Sequence, residues 1–303
     1  MKSKTNKNIR VPYALSFHGK EELQAVSKVI NEHRTSMGRE TKQFEKEISS
    51  LFGKKYGVAV NSGSSANLLA FELLNLPPGS EVITPVLTFS TTVAPILQRG
   101  LRPVFIDIDP KTFLIDVEQI KNKISKKTKA LMIPSLLGNV PNMAKLRAVA
   151  NKHKLFLIED SCDTLGARFN GLPSGKYSDI STTSFYGSHI INAAGGGGMI
   201  LVNRGDWYNR LLVLRGWGRS SGLFVESEDL SKRFKMKLAG APYDGKFFFT
   251  EVGYNFLPLE IGSAFGLAQL KKFPDFMERR RDNFGELIEF FSKWSQFFNL
   301  PLQ

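Results

Sequence analysis

Three short segments of this 303-residue chain gather residue types that can do chemistry, and each also has a plainer reading. Val60 to Leu74, VNSGSSANLLAFELL, sets a glycine and three serines directly ahead of an apolar helical run. At such a junction free backbone N–H groups, hydroxyls and the positive end of a helix dipole converge on one point, which suits a phosphate. Gly63, Ser64 and Ser65 would line it; the plain alternative is a serine that only caps the helix. In Ile158 to Ala167, IEDSCDTLGA, an apolar run ends in adjacent carboxylates. Asp160 there can pair with a protonated ring nitrogen and keep the ring poor in electrons, or the acidic pair can simply cap the next helix. Thr182 to Ile200, TTSFYGSHIINAAGGGGMI, breaks into small residues and a four-glycine run, which lets backbone approach a ligand or a neighbouring chain closely. Ser184 can add a hydroxyl to a phosphate site. His189 projects from the loop with an imidazole that exchanges protons near neutrality, although a loop histidine is also commonly structural or merely exposed.

Those segments need a scaffold, and the hydrophobic pattern predicts one. Short apolar runs over Glu81 to Thr84, Pro103 to Ile108, Lys129 to Pro134, Leu155 to Glu159 and Met199 to Asn203 alternate with helical periodicity over Ser65 to Asn75, Val117 to Ile124, Met143 to His153 and Trp207 to Leu214. Such alternation predicts an α/β fold, a largely parallel sheet covered by helices on both faces, with ligands bound beyond the carboxyl ends of the strands. The residues at those ends are Pro85 to Ser90, Asp160 to Thr164 and Tyr186 to Gly198. Ser220 to Lys246 reads as a long polar excursion, followed by helices over Leu259 to Lys272 and Asp275 to Trp294. The division expected is a large domain over 1–273 and, over 274–303, the start of a truncated small domain.

With 42% apolar and 23% charged residues the chain can bury a sizeable core. Its net charge of +13 comes from scattered lysines, so no nucleic-acid partner is expected; a basic enzyme acting on a doubly charged substrate is the simpler explanation. The N-terminus lacks the apolar stretch of a secretory signal and no run approaches a membrane span, which places the protein in the cytoplasm with no membrane contact. Cys162 is the only cysteine, so neither an internal disulfide nor four thiolates for an iron–sulfur cluster can be built, and no metal site is expected.

SGSSANLLAFELL, PVLTFSTTVAPILQRGLRPVFIDID, IEDSCDTLGA, SFYGSH and GYNFLPLEIGSAFGLAQL occur in this order, and from about Arg39 to Phe284 the chain resembles the DegT-type family of sugar aminotransferases and dehydratases. The resemblance implies a fold-type-I, pyridoxal-phosphate-dependent transferase: a mainly parallel seven-stranded sheet between helices, with the C-terminal small domain largely absent. It implies pyridoxal or pyridoxamine 5′-phosphate as cofactor. Gly63, Ser64, Ser65 and Ser184 would hold its phosphate, Asp160 its ring nitrogen, and Phe89 would stack on its ring, with Asp163 nearby in a role the sequence leaves open. It further implies a homodimer with shared active sites, in which Asn255 of the GYNF turn is a phosphate ligand donated across the interface. Arg219 would bind the phosphates of a nucleotide-linked sugar. A turn-forming asparagine and a surface arginine are the plain readings of the last two.

Where the family's aminotransferases carry the lysine that bonds covalently to the cofactor, this chain has His189. By resemblance that exchange marks the sugar 3-dehydratases, which use pyridoxamine phosphate on a nucleotide-linked 4-keto-6-deoxy sugar. His189 would be base and then acid as the C3 hydroxyl leaves, and L-glutamate would regenerate the cofactor. In LRGWGRSSGLF, Ser220 and Ser221 stand where the cluster-bearing branch has cysteines, so the likeness is to the branch acting on GDP-4-keto-6-deoxymannose without an iron–sulfur cluster. Three positions depart from the pattern: Gly196 where many relatives have Glu or Asp, Ile190 where these dehydratases have a second histidine, and Phe89 where Trp is common. Amino transfer that tolerates His189, or a homologue that binds a sugar nucleotide without turnover, are the rival expectations.

Overall fold

Along each strand of the central sheet, successive apolar side chains point to opposite faces, and both faces are covered by helices. The computed structural model describes Pro12, residues 14–227, residues 229–300 and Leu302. Helices α1 (Lys20–Asn31) and α2 (Arg39–Leu51) lead into β1 (Tyr56–Val60). Helix and strand then alternate through α3 (Gly63–Leu74), β2 (Glu81–Pro85), α4 (Ser90–Gln98), β3 (Arg102–Ile106), α5 (Val117–Ile120), β4 (Thr128–Pro134), α6 (Met143–His153) and β5 (Phe156–Asp160). A small hairpin, β6 (Arg168–Phe169) and β7 (Leu172–Pro173), precedes β8 (Ile180–Ser184), β9 (Gly198–Val202) and α7 (Gly205–Arg215). After it come α8 (Leu230–Arg233), a second hairpin of β10 (Lys237–Leu238) and β11 (Ala241–Pro242), and α9 (Glu260–Ser292).

Seven strands pair in the order β1-β9-β8-β5-β4-β2-β3, and β9 alone runs against the others. Val58, Val60, Val82, Met132, Ile158 and Ile200 form a core with Leu69 and Leu73 of α3 and Leu211 and Leu214 of α7. Their neighbours along the strands turn the other way. Ile83, Leu131, Ile133 and Leu157 pack with Met143 and Leu146 of α6, and Ala59, Met199 and Leu201 pack with Phe44 and Ile48 of α2. The predicted α/β fold, with a mainly parallel seven-stranded sheet between helices, is the one observed. By the same alternation Asp160, Thr182 and Ser184 point to the α3 and α4 side, whereas Glu159 points away.

Two elements differ from the sequence reading. The helices expected over Leu259 to Lys272 and Asp275 to Trp294 are one, α9, running through Pro274. A proline inside a helix forfeits one N–H rung; Pro274 is exposed, and Phe273 and Phe276 on either side pack onto the α2 core and hold the helix together. The helix anticipated over Val117 to Ile124 is a single turn, α5. The Ser220 to Lys246 excursion carries its own short elements, α8 and the β10–β11 hairpin. The start of α9 is fixed by a carboxylate: buried Glu260 accepts from the backbone N–H of Gly38 and of Glu40, each at 2.7 Å, and from Thr41 Oγ1 at 2.7 Å. An anion thereby caps α2, whose own N-cap, Gly38, has no side chain to do so. No helix among the described residues is long and apolar enough to cross a membrane.

Candidate active site

The β1–α3, β2–α4, β5 and β8 junctions all lie at the carboxyl edge of the parallel strands. At the first of them, Ser62 is the helix cap, its Oγ accepting from Ser65 N–H at 3.1 Å and lying 3.0 Å from Ser65 Oγ. Ser65 is buried in that arrangement, while Ser64 is exposed and donates to Thr91 Oγ1 at 3.0 Å. Gly63 is what lets the helix end lie against the sheet: a Cβ there would fall 2.7 Å from Ser184 Cβ and 3.1 Å from Cys162 Sγ. Gly198 does the same from the other side, since its Cβ would meet the Ser62 carbonyl carbon at 2.3 Å. Ser184 Oγ accepts from Tyr186 N–H at 3.3 Å, which leaves its own proton to donate. Gly63 and Ser184 are therefore in close contact at the positive end of α3, with Ser64 exposed beside Gly63.

Asp160, at the end of β5, is 6% exposed and sits in a cage of donors. Its Oδ2 accepts from Asn67 Nδ2 at 2.9 Å and Thr92 Oγ1 at 2.8 Å, and its Oδ1 from Cys162 N–H at 3.2 Å. Thr182 Oγ1 in turn donates to Asn67 Oδ1 at 2.6 Å, so α3, α4, β5 and β8 all bear on one carboxylate. Three donors from three elements fix the orientation of this carboxylate at the end of β5. Asn67, Thr92 and Thr182 were not singled out from the sequence: their partner depends on strand order, and no local spacing reveals that.

His189 stands at the tip of the loop after β8, its N–H donating to Tyr186 O at 3.0 Å and its ring edge-on to Tyr186. Nδ1 lies 3.6 Å from Asp163 Oδ1, and Asp163 Oδ2 accepts from Leu137 N–H at 3.1 Å. The open role of Asp163 thus becomes a position: a carboxylate beside Nδ1 of the imidazole, whose Nε2 has no hydrogen-bond partner among the described residues. Burial pulls the His189 imidazole below its ordinary value, and the Asp163 and Asp160 carboxylates push against that shift. The loop is tied at its base by Ala193 N–H on Phe185 O at 3.0 Å. Buried Asn192 adds to this, accepting from Gly195 N–H at 3.2 Å and donating to Ser16 Oγ at 3.0 Å. Its neighbour Gln269 of α9 donates to Phe17 O at 2.9 Å and to buried Glu22 at 2.7 Å, which Lys272 neutralises at 2.8 Å. This chain of side chains, also not anticipated, clamps the histidine loop between the N-terminal segment and α9.

Phe89, the residue before α4, presents an exposed ring. Asn255 is exposed and its side chain has no partner among the described residues. Its turn is held rigid instead: Tyr254 and Phe256 stack at 4.6 Å, Tyr254 donates its hydroxyl to Glu72 of α3, and Trp217 N–H reaches Tyr254 O at 2.7 Å. A side chain so placed can reach only outward. Arg219 lies over the Trp217 ring at 3.9 Å with a buried Nε that has no hydrogen-bond partner among the described residues. Lys176 packs along Gly53 at the α2–β1 turn and cannot substitute for a lysine at position 189. No group of three or more His, Cys, Asp and Glu side chains among the described residues could hold a metal ion.

A mostly parallel sheet with a serine-capped helix end, a caged carboxylate and a glycine-rich loop at its carboxyl edge is the fold-type-I architecture of pyridoxal-phosphate-dependent enzymes. The chain belongs to the DegT/DnrJ/EryC1/StrS aminotransferase family, whose model matches residues 17–303. It is 37% identical over 292 residues to a GDP-4-keto-6-deoxy-D-mannose 3-dehydratase of Yersinia pseudotuberculosis, covering 94% of this chain and 72% of that protein. It is 34% identical over 246 residues to a GDP-perosamine synthase of Caulobacter vibrioides, covering 81% of this chain and 60% of the relative. A solved GDP-4-keto-6-deoxymannose-3-dehydratase with a trapped PLP–glutamate geminal diamine superposes with a TM-score of 0.84 at 34% identity, over 93% of this chain and 73% of the other.

Proposed function

We propose that this chain is a pyridoxamine-phosphate-dependent dehydratase that removes the C3 hydroxyl of a nucleotide-linked 4-keto-6-deoxy sugar, GDP-4-keto-6-deoxymannose being the first candidate. The observation that carries the reading is an imidazole, not a primary amine, held beside a carboxylate at the tip of the loop after β8. The site residues fit the cofactor: Gly63 leaves room where a methyl group would collide with Ser184, and Asp160 presents an acceptor-only carboxylate. When bound, pyridoxamine phosphate supplies an amine for the sugar ketone and a ring that accepts electrons.

In this reading Ser64, Ser184 and the N–H groups opening α3 bind the cofactor's phosphate, with Ser65 bracing them from behind. Asp160 keeps the ring nitrogen protonated and Phe89 covers the ring face. His189 Nε2 takes a proton from the cofactor's methylene carbon and then delivers it to the C3 oxygen, which leaves as water rather than hydroxide. Asn255 reaches the phosphate of a second copy's site, which makes the working unit a homodimer, and Arg219 binds phosphates of the nucleotide. Hydrolysis releases the sugar's nitrogen as ammonia, and L-glutamate restores the cofactor's amine. No iron–sulfur cluster takes part in this scheme, and the reaction is placed in the cytoplasm.

The test is product analysis. Incubated with GDP-4-keto-6-deoxymannose, pyridoxamine phosphate and glutamate, the chain is expected to yield a sugar with a methylene at C3 in its proton NMR spectrum. Formation of a 4-amino sugar with the C3 hydroxyl intact would assign amino transfer, the rival that the likeness to a perosamine synthase supports. Return of unreacted substrate from cofactor-loaded protein would support the inactive homologue.

Two further outcomes follow from the geometry. Gly63→Ala is expected to raise the dissociation constant for pyridoxamine phosphate about tenfold or more, because forcing a methyl group into a filled site costs on the order of 1–3 kcal/mol. A fluorescence titration reads this, and unchanged affinity would remove Gly63 from the phosphate site. Asp163→Asn deletes the largest influence raising the His189 value, so the imidazole becomes a weaker base and stays neutral to lower pH. The acid limb of kcat/KM is therefore expected to move to lower pH while the plateau falls. A limb that stays in place would mean that Asp163 does not act through His189.

A further inference from the structure

Helix α9 packs beside the His189 loop through Phe273 and Phe276 and carries a cation farther along the same face that neither the fold nor the proposed chemistry has yet used. Phe273 packs against the turn that follows Asp163, its ring standing 2.7 Å from where a Gly166 Cβ would be. Phe276 packs on the same cluster, which includes Leu165, two residues after Asp163, and Ile190, the residue after His189. Arg280 lies one helical turn beyond Phe276 and two beyond Phe273, so it issues from the same face. Its side chain is exposed and makes no ion pair or hydrogen bond among the described residues. By contrast Arg210, Arg215 and Arg233 each pair with a carboxylate.

We propose that Arg280 is an oxyanion-binding residue at the mouth of the His189 site, pairing with a phosphate or carboxylate of the molecule that reacts there. A guanidinium is always charged and its planar fork matches either group in two parallel hydrogen bonds. Which molecule that is rests on the proposed function, where both reactants are anions: the nucleotide sugar through its diphosphate and glutamate through its carboxylates. The arrangement also couples binding to basicity. The Arg280 charge is among the influences that hold the His189 imidazole below its ordinary value. An oxyanion settling on Arg280 offsets that charge, so the base strengthens when the site fills.

Arg280→Gln, which keeps length and removes charge, tests the assignment, with Arg279→Gln as the control on an adjacent helix position. Binding of inorganic pyrophosphate and of L-glutamate to the pyridoxamine-phosphate-loaded chain is measured by calorimetry. Loss of a charge-assisted pair is expected to weaken one of the two about tenfold in Arg280→Gln and neither in Arg279→Gln. Weakened pyrophosphate binding assigns Arg280 to the nucleotide's phosphates, and weakened glutamate binding assigns it to the amino donor. The affected binding should also lose much of its salt dependence. Equal affinity of wild type and Arg280→Gln for both probes, or no binding of either by wild type, would overturn the proposal. This readout needs no product, so it stands apart from whether the chain dehydrates or transaminates its sugar.

Discussion

His189→Asn is expected to bind pyridoxamine phosphate with nearly unchanged affinity and to turn over about a thousandfold or more slowly, the scale of losing a placed general acid–base. Asparagine is close to imidazole in reach and keeps a donor toward Asp163, so the loop, tied by Asn192 and by Ala193 on Phe185, retains its shape. What it cannot do is accept a proton and give it back. A single-turnover rate separates this from a binding defect. A rate within tenfold of wild type would mean that another group carries the proton, and Tyr186, whose ring lies 6.4 Å from His189, would be the next to examine.

The second large effect belongs to Asp160. Asp160→Asn is expected to lower turnover at least about a hundredfold and to weaken cofactor binding, since a neutral amide cannot hold a ring nitrogen protonated by a charge-assisted hydrogen bond. The cage makes this substitution costly in a second way. Asn67, Thr92 and the Cys162 N–H are all donors, so an amide must turn its own NH2 toward at least one of them. Leaving a buried donor unmatched costs on the order of 1–3 kcal/mol, which a thermal melt of the apo chain should show. Turnover equal to wild type would detach Asp160 from the reacting ring.

The sequence carried the frame of the site further than its details. The alternation of short apolar runs with helical stretches specified a parallel sheet, and the serine-glycine turn, the carboxylates after β5 and the loop after β8 followed at its carboxyl edge. Which serine caps α3, Ser62, was hidden because neighbouring serines look alike until the helix start is fixed. Asn67, Thr92 and Thr182 converge on Asp160 only once four elements are docked, and Asn192, Gln269 and Glu22 meet across 247 residues of chain. Pro274 read as a helix stop because local propensity opposes it, and packing of its aromatic neighbours overrides that preference. Buried polar networks and tertiary override leave no periodic trace.

Reductive trapping of the His189→Lys variant bears most directly on the role of position 189. Loaded with pyridoxal phosphate and treated with borohydride, the variant is expected to retain the cofactor covalently in a mass spectrum, while wild type releases it and the variant no longer removes the C3 hydroxyl. A variant that is not trapped, or that still eliminates the hydroxyl at the wild-type rate, would contradict the placing of position 189 against the cofactor's reactive carbon.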